Sequence, residues 1–282
     1  MSRPALAAGP PPSGALLRAF GVRGEPVLLD GGQRRCWRAG DVVLKPVDEP
    51  QEHAWVCEAY DAWPARDTVR VPEPLRAGDG AWSADGWAAH RWLPGRTVRC
   101  GDDPDAFRRT VEAFHDVTAD LPRPSFLDHR DDAWSYGDRV AWEGLAPQGT
   151  PEVLDLLAEA LAALRPVTSP AQVVHGDVGG NVLRAPGLPD AVIDWPPYHR
   201  PRGLALAVAA GDAVAWEGAP ESFLETWADV PDWGQLVLRA VVARIATRGR
   251  HDALGVTLPH DDYVAARRPS VEMVLRLVAR GG

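Results

Sequence analysis

Lysine is almost absent from this sequence of 282 residues. Of its 30 basic side chains, 29 are arginine, and the single lysine, Lys45, stands at the end of the apolar run in "DVVLKPV". A composition biased towards arginine explains why lysine is rare, but it does not explain the position of the one that remains. A phosphate-binding loop of the G-x-x-x-x-G-K-[ST] type is excluded, because no such motif surrounds this lysine.

Paired cysteines and long apolar runs are missing as well. Cys36, Cys57 and Cys100 are widely spaced and form no C-x-x-C motif, which predicts reduced thiols. No apolar stretch approaches the roughly 20 residues that cross a bilayer, and the prolines near the first residues break any run typical of a signal peptide. We therefore expect a cytoplasmic protein with no membrane partner.

The charge balance and the missing motifs exclude several function classes. The net charge of −9 and the pI of about 5.4 argue against a nucleic-acid partner, since such domains usually carry a basic face. The same balance is compatible with a cationic small-molecule substrate. The sequence also lacks the G-x-S-x-G motif of serine hydrolases and the H-E-x-x-H motif of zinc proteases.

Periodicity divides the sequence into two parts and predicts an α+β fold. Residues 1–93 form a strand-rich part with one helix, for which Asp48 or Glu49 is the predicted N-cap and Pro50 lies near the first turn. Residues 94–282 form a helical part that carries a β-hairpin. The predicted strands lie at 26–32, 34–39, 41–47, 74–78 and 86–93, and the predicted helices at 48–63, 103–121, 150–167, 202–216, 221–230, 233–249 and 270–280.

Reactive side chains are densest in "VVHGDVGGNVLRAPGLPDAVIDW", residues 173–195. Two apolar pairs lead into Asp177 and Asp194, and the hairpin predicted from Asn181 onwards would bring all three polar groups to one end. Two carboxylates and a carboxamide are the hard oxygen ligands that suit Mg²⁺. A carboxylate that is not bound to the metal could orient a hydroxyl group and accept its proton. The alternative is that both aspartates are turn residues at strand ends.

These motifs resemble those of a known family. The H-G-D at 175–177 with Asn181, and the I-D-W at 193–195, resemble the catalytic loop and metal-binding motif of aminoglycoside phosphotransferases and related small-molecule kinases. The resemblance extends to actinobacterial members that share H-G-D-x-x-x-N followed by I-D-W-P-P. It implies the bilobal protein-kinase-like fold, with a nucleotide-binding N-terminal lobe and a helical C-terminal lobe, and it implies ATP and Mg²⁺ as cofactors.

The resemblance also implies roles for individual residues. Asp177 matches the catalytic aspartate that aligns the acceptor hydroxyl, and Asn181 and Asp194 match the two metal ligands. Lys45 matches the lysine that holds the α- and β-phosphates of the nucleotide. Its expected partner is a glutamate on the following helix, for which Glu58 is preferred and Glu52, in the first turn, is the alternative.

Two further nucleotide contacts follow from the same resemblance. The backbone of His90, Arg91 and Trp92 is expected to meet the adenine. Gly31 and Gly32 are expected to lie over the phosphates, although an ordinary hairpin turn explains this pair equally well.

The sequence departs from the family pattern in the catalytic loop. Three residues separate Asp177 from Asn181, where the pattern has four. Two of the three are glycines, which permit a tighter loop because they adopt positive φ readily. The shortened loop favours the alternative of a nucleotide-binding pseudokinase with a sensing or scaffold role, and an adenylyltransferase on the same fold is a third possibility.

We predict an ATP- and Mg²⁺-dependent phosphotransferase that acts on a hydroxyl group of a small molecule, with the charge balance mildly favouring a cationic acceptor. The acceptor could be an aminoglycoside or other antibiotic, a sugar, an amino alcohol or a nucleoside. Tryptophans that could line its pocket, rather than only pack the core, are Trp134, Trp142 and Trp195. Tyr198, His199, Arg200 and Arg202 either face the substrate or lie on the surface.

Overall fold

The computed structural model describes residues 9–30, 34–64, 68–256 and 263–280. Internal contacts divide the chain into two units: Met1–Thr97 with Val182–Trp195, and Val98–Asn181 with Pro196–Gly282. The predicted domain boundary after residue 93 stays a prediction. The observed division differs from it in two respects: the first boundary lies after Thr97, and the segment Val182–Trp195 clusters with the first unit.

Strands dominate the first unit and helices the second. In the described part of the chain, two short 3₁₀ turns (Ser125–Asp128 and Glu221–Glu225) accompany the helices and strands. In chain order these are α1 Gly14–Ala19, β1 Val27–Leu28, β2 Trp37–Ala39, β3 Val42–Pro46, α2 Pro50–Asp61, β4 Pro74–Leu75, β5 Ser83–Ala84, β6 Trp87–Arg91, β7 Arg96–Thr97, α3 Pro104–Thr118, α4 Ala133–Glu143, α5 Pro151–Ala162, β8 Ala171–His175, β9 Val182–Arg184, β10 Ala191–Val192, β11 Pro197–Pro201, α6 Leu204–Trp216, α7 Trp233–Ala253 and α8 Tyr263–Arg280.

An antiparallel sheet in the order β1-β2-β3-β6-β4 forms the centre of the first unit, and β5 also pairs with β6. Side chains alternate between the two faces of a strand. On β3, Val42 and Leu44 are buried in a core that includes Leu16 of α1. Lys45 therefore points to the opposite face of the sheet from Leu44.

The helix after β3 begins as the sequence predicts. Glu49 is the N-cap of α2 and Pro50 lies in its first turn, where the missing N–H has no intrahelical partner to lose. Its buried residues are Val56, Cys57 and Tyr60, so this face of the helix packs inward.

The predicted hairpin between Asn181 and Asp194 is confirmed as the antiparallel pair β9 and β10. Arg70 fixes it within the first unit. The Arg70 N–H donates to the Asp190 carbonyl (2.9 Å), the Val192 N–H donates to the Arg70 carbonyl (2.9 Å), and the Arg70 Nε donates to the Pro189 carbonyl (2.7 Å). These contacts link residues that are far apart in sequence. Local sequence patterns do not show such contacts, and for this reason the hairpin was predicted to belong to the helical part, residues 94–282.

The second unit contains two elements that the sequence analysis missed. The helix α4 is capped by Asp132, whose carboxylate accepts from the N–H groups of Trp134 and Ser135 at 2.8 Å. The strand β11 pairs antiparallel with β8 along its whole length, although prolines stand at both of its ends. The helix predicted at 221–230 is reduced to the 3₁₀ turn Glu221–Glu225. No described helix combines the length and the apolar character needed to cross a membrane.

Candidate active site

Lys45 and Asp194 form an ion pair in the first unit. The Lys45 Nζ donates to the Asp194 Oδ1 at 2.7 Å, and the two side chains are 33% and 58% exposed. Asp194 follows β10 with a φ of 50°, a left-handed conformation that aspartate tolerates better than most residues. Burial lowers the pKa of Lys45, but the charge and hydrogen bond of Asp194 outweigh this effect and leave the pKa raised. Lys45 is therefore a cation at neutral pH.

Aromatic packing fixes the backbone next to Asp194. Trp195 is buried, with its ring centroid 5.4 Å from that of Trp55 and 5.7 Å from that of Tyr60. Both partners belong to α2. Of the two uses considered for this tryptophan, the structure assigns it to core packing in the first unit.

The predicted pair of Lys45 with Glu58 is absent, and this prediction is wrong for the described structure. Glu58 is exposed and forms no ion pair with another described residue. It lies outside the buried face of α2, which is formed by Val56, Cys57 and Tyr60. Glu52 is half-buried in the first turn and remains the alternative carboxylate on this helix.

Asp177 lies in the turn after β8 and is held from two sides in the second unit. Its N–H donates to the Nδ1 of the fully buried His175 at 3.1 Å, so this histidine holds the turn in place. The Arg244 Nη2 donates to the Asp177 Oδ1 at 2.5 Å and to the Asp212 Oδ2 at 2.6 Å. Burial lowers the pKa of Arg244, but the two carboxylates outweigh it and the pKa is raised.

Arg244 and Asp212 were not among the residues predicted for the site. One signal for Asp212 exists, since it is a lone carboxylate within the apolar run of α6, and a carboxylate there needs a partner. No comparable signal exists for Arg244, one of 29 arginines in the chain.

The shortened loop is closed by the amide of Asn181. Its Nδ2 donates to the Asp177 carbonyl at 2.7 Å, and its N–H donates to the Val178 carbonyl at 3.0 Å. Gly180 supplies the positive φ (78°) that the tight turn requires. The Asn181 Oδ1 accepts no hydrogen bond from the described residues. This oxygen and the exposed carboxylate of Asp194 are the donor types that a hard divalent cation prefers.

The predicted adenine contacts are only partly available. β6 has strands on both sides, and the Arg91 N–H donates to the Glu73 carbonyl at 2.8 Å while the Trp92 N–H donates to the Asp41 carbonyl at 2.7 Å. The N–H groups of Arg91 and Trp92 are therefore not free to donate to adenine, and the expectation for His90–Trp92 needs correction at Arg91 and Trp92. Gly31 and Gly32 lie outside the described residues.

A cavity in the second unit lies beside the H-G-D turn. It has an empty volume of about 420 Å³, including the part open to solvent. Aromatic rings of Trp134, Trp142 and Tyr198 form part of its lining, together with Gly176 and Arg244. A Cβ on Gly176 would overlap the Tyr198 ring, so the close approach of this ring requires glycine.

Two of the charged residues that follow Tyr198 serve other contacts. Arg200 donates to the Asp138 Oδ2 at 2.5 Å and to the Glu143 Oε1 at 2.9 Å. Arg202 forms an ion pair of 2.7 Å with Asp116. These pairs account for both guanidinium groups without a substrate.

The chain belongs to a family of phosphotransferases. The model of the phosphotransferase enzyme family matches residues 38–198, more than half of the chain. The match spans Lys45, Asp177, Asn181 and Asp194. No protein with a curated description matches the chain.

Solved structures show the protein-kinase-like fold. A choline/ethanolamine kinase family protein from Mesorhizobium loti is 18% identical with a TM-score of 0.57, and the alignment covers 91% of this chain and 89% of that one. A thermostable variant of an aminoglycoside phosphotransferase, in complex with AMP-PNP and hygromycin B, is 15% identical with a TM-score of 0.59 and coverages of 95% and 98%. A spectinomycin phosphotransferase, in complex with ADP and spectinomycin, is 11% identical with a TM-score of 0.51 and coverages of 94% and 95%.

Proposed function

We propose that this phosphotransferase transfers the γ-phosphoryl group of ATP, with Mg²⁺, to a hydroxyl group of a small molecule. The observation that best supports the proposal is the 2.7 Å ion pair of Lys45 and Asp194, two residues 149 positions apart. The motif resemblance assigns one of them to the phosphates and the other to the metal. The cytoplasmic location expected from the sequence stays a prediction.

In the first unit, we assign phosphate binding to the cation of the ion pair and metal binding to its carboxylate. The Lys45 ammonium would bind the α- and β-phosphates as a compact point charge. The Asp194 carboxylate would bind Mg²⁺, which neutralises charge on the β- and γ-phosphate oxygens when bound. The 2.7 Å ion pair holds the two groups next to each other, so the proposed phosphate-binding and metal-binding charges are adjacent.

In the second unit, Asp177 would align the acceptor and accept its proton. Arg244 holds the Asp177 Oδ1, and no described residue donates to the Oδ2. That oxygen is the one proposed to accept a hydrogen bond from the acceptor hydroxyl, which loses its proton as it attacks the γ-phosphorus. The Asn181 Oδ1 is the proposed second protein ligand of Mg²⁺.

The cavity beside Gly176 is the proposed binding site for the acceptor. Its aromatic walls suit a molecule with an apolar ring or face, while the hydroxyl group points towards Asp177. The charged groups in its lining are the guanidiniums of Arg239 and Arg244 and the carboxylate of Asp138. With two guanidinium groups and one carboxylate, the lining gives no support to a cationic acceptor, which the net charge of the sequence favours. Hygromycin B and spectinomycin, bound by the two phosphotransferases above, are the first acceptors to try.

A nucleotide-binding pseudokinase is the second candidate, and the ion pair of Asp177 with Arg244 favours it. The Asp177 Oδ1 already accepts a hydrogen bond of 2.5 Å from the Arg244 guanidinium, so this oxygen is occupied by a protein group. Together with the shortened loop, this contact would suit a protein that binds ATP without transferring phosphate.

One experiment separates these functions. ATP with Mg²⁺ is added to the protein, its melting temperature is recorded, and the products are followed with a panel of antibiotics, sugars, amino alcohols and nucleosides. The proposal predicts a higher melting temperature and ADP with at least one acceptor. A higher melting temperature without any ADP supports the pseudokinase, and pyrophosphate in place of ADP supports the adenylyltransferase.

A further inference from the structure

Three soft donor groups meet in the first unit, away from the predicted magnesium ligands. His53 and Cys57 lie four residues apart on α2 and therefore share a face of the helix. His90 lies on the central strand β6. One ring nitrogen of each histidine and the Cys57 sulfur all lie within 4.8 Å of one another.

The distances are close to those of a tetrahedral zinc site. The Cys57 Sγ lies 3.8 Å from the Nδ1 of His53 and 4.0 Å from the Nε2 of His90. Zinc–sulfur and zinc–nitrogen bonds of about 2.3 and 2.05 Å, at tetrahedral angles, place sulfur and nitrogen about 3.6 Å apart. Small rotations of these side chains are sufficient to bring the donors around one ion.

The contacts of the two histidine rings leave ring nitrogens available to bind a metal. The His53 Nε2 lies 3.0 Å from the Trp82 carbonyl, a contact that fixes this ring and leaves the Nδ1 lone pair for a metal. His90 is 7% exposed, and the Cys57 thiol is the only hydrogen-bonding group of the described residues within reach of its side chain. A buried imidazole with such a poor partner is costly unless something else binds it.

We propose that His53, Cys57 and His90 form a binding site for Zn²⁺, with a water molecule as the fourth ligand. Thiolate and imidazole are soft or intermediate donors that favour Zn²⁺ over Mg²⁺. Both histidines bind as neutral imidazoles, and the Cys57 thiol releases its proton to solvent as the zinc–sulfur bond forms. Burial, with a contribution from the charge of Lys45, lowers the pKa of His90 to about 3, so this ring is neutral at physiological pH.

The test replaces zinc by cobalt, whose absorption reports its ligands. Co²⁺ is added to the full chain, to Cys57→Ser and to the control Cys36→Ser, and folding is checked by circular dichroism. The site predicts a thiolate-to-cobalt charge-transfer band at a stoichiometry of one in the unmodified chain and in Cys36→Ser, which Zn²⁺ abolishes by displacement. Cys57→Ser lacks the band, and His53→Ala weakens Zn²⁺ binding at least tenfold in competition with a chromophoric chelator.

Two results overturn the site. The first is a chain that shows no charge-transfer band, and the second is a band that persists in Cys57→Ser. If that band disappears in Cys36→Ser, the thiolate that binds cobalt belongs to Cys36. All of these readings are made without ATP, so they do not depend on whether the proposed phosphotransfer is correct.

A consequence for catalysis rests on the proposed function. The charge of Lys45 acts on both Cys57 and His90, so a dication bound to them acts in turn on Lys45. Zn²⁺ at one equivalent is expected to slow ATP turnover several-fold at saturating Mg²⁺, and to leave turnover by Cys57→Ser unchanged. Cobalt binding without this inhibition supports the metal site but contradicts its effect on Lys45.

Discussion

Lys45 shows how much one residue can be specified by its position. The ammonium approaches Asp194 as a slim point charge on a flexible stem, whereas a guanidinium is a wide planar fork. The strand position of Lys45 and the I-D-W motif singled out both residues from sequence, but their pairing with each other was not predicted. The Glu58 prediction was wrong, because several carboxylates lie on one helix and the sequence does not show which of them turns inward.

The charge-conserving exchange Lys45→Arg tests the assigned role. We expect ATP turnover to fall by about 100-fold, the scale seen when a positioned electrostatic group is removed from a transition state. The melting temperature without nucleotide should stay within a few degrees, since the pair is partly exposed and surface pairs contribute little to stability.

The control for this exchange is Arg96→Lys, the reverse substitution at an exposed position of β7. It should turn over ATP at the rate of the unmodified protein. Near-normal turnover by Lys45→Arg would remove Lys45 from the phosphate site.

Gly176 is the second residue whose identity the structure requires. We expect Gly176→Ala to destabilise the protein by about 1–3 kcal/mol, the usual cost of overpacking, because the new methyl group overlaps the Tyr198 ring. Urea denaturation measures this difference. The cost of Gly176→Ala should be smaller when the exchange is made in the Tyr198→Ala variant than when it is made in the unmodified protein, as expected for two residues in contact.

The matched control is Gly101→Ala, since a Cβ at Gly101 meets no atom within 4 Å. It should change the free energy of unfolding by less than about 0.5 kcal/mol. Equal effects at both glycines would show that the contact with Tyr198 is unimportant.

At the scale of elements, helix packing in the second unit depends on close approach. Gly137 of α4 faces α7, and a Cβ there would overlap the Thr247 side chain and the Ala243 carbonyl. The sequence analysis missed α4, although Asp132 is a clear N-cap and the buried Ala133, Tyr136, Gly137, Val140 and Ala141 recur at helical spacing. It missed β11 because proline at both ends of a short strand is typical of a loop.

We predict that Gly137→Ala lowers the free energy of unfolding by about 1–3 kcal/mol, despite the higher helix propensity of alanine. Gly211→Ala in α6 is the control, because its nearest atom would lie at an ordinary 3.5 Å. That exchange should be neutral or stabilise by up to about 1 kcal/mol. Chemical denaturation of both variants decides, and a neutral Gly137→Ala would contradict the packing described for α4 and α7.

At the scale of the whole molecule, buried histidines link stability to pH. His115 is fully buried in the second unit, where burial lowers its pKa to about 3, and His90 in the first unit is lowered to about 3 as well. Both are below the usual value of about 6.5, so the unfolded chain binds protons that the folded chain does not. Stability is therefore fully present above about pH 6.5 and is lost as the pH falls from there towards 3.

Each of these histidines should contribute a slope of about 1.4 kcal/mol per pH unit to the free energy of unfolding below about pH 6. Urea denaturation between about pH 4.5 and 8 measures this slope. His115→Gln keeps a polar side chain that is neutral at every pH and should reduce the slope by about one histidine's share. An unchanged slope in His115→Gln would show that His115 is protonated in the folded protein.

The division into units marks the limit of sequence reasoning. Most strands and helices of each unit follow from periodicity and capping, with α4 and β11 among the exceptions, and the H-G-D and I-D-W motifs point to their own chemistry. The assignment of the hairpin Val182–Trp195 to the first unit does not follow, because it depends on Arg70, over a hundred residues earlier in the chain. For the same reason the contact of Arg244 with Asp177 could not be predicted.

Transfer of labelled γ-phosphate from ATP to an acceptor, compared between the unmodified protein and Asp177→Asn, tests the central claim most directly. Asp190→Asn is the matched control, since Asp190 forms a structural ion pair with Arg184 at 2.8 Å. The account predicts labelled product from the unmodified protein and from Asp190→Asn, and a loss of about 100-fold or more in Asp177→Asn, with ATP binding retained. Product formation by Asp177→Asn at the unmodified rate would contradict it.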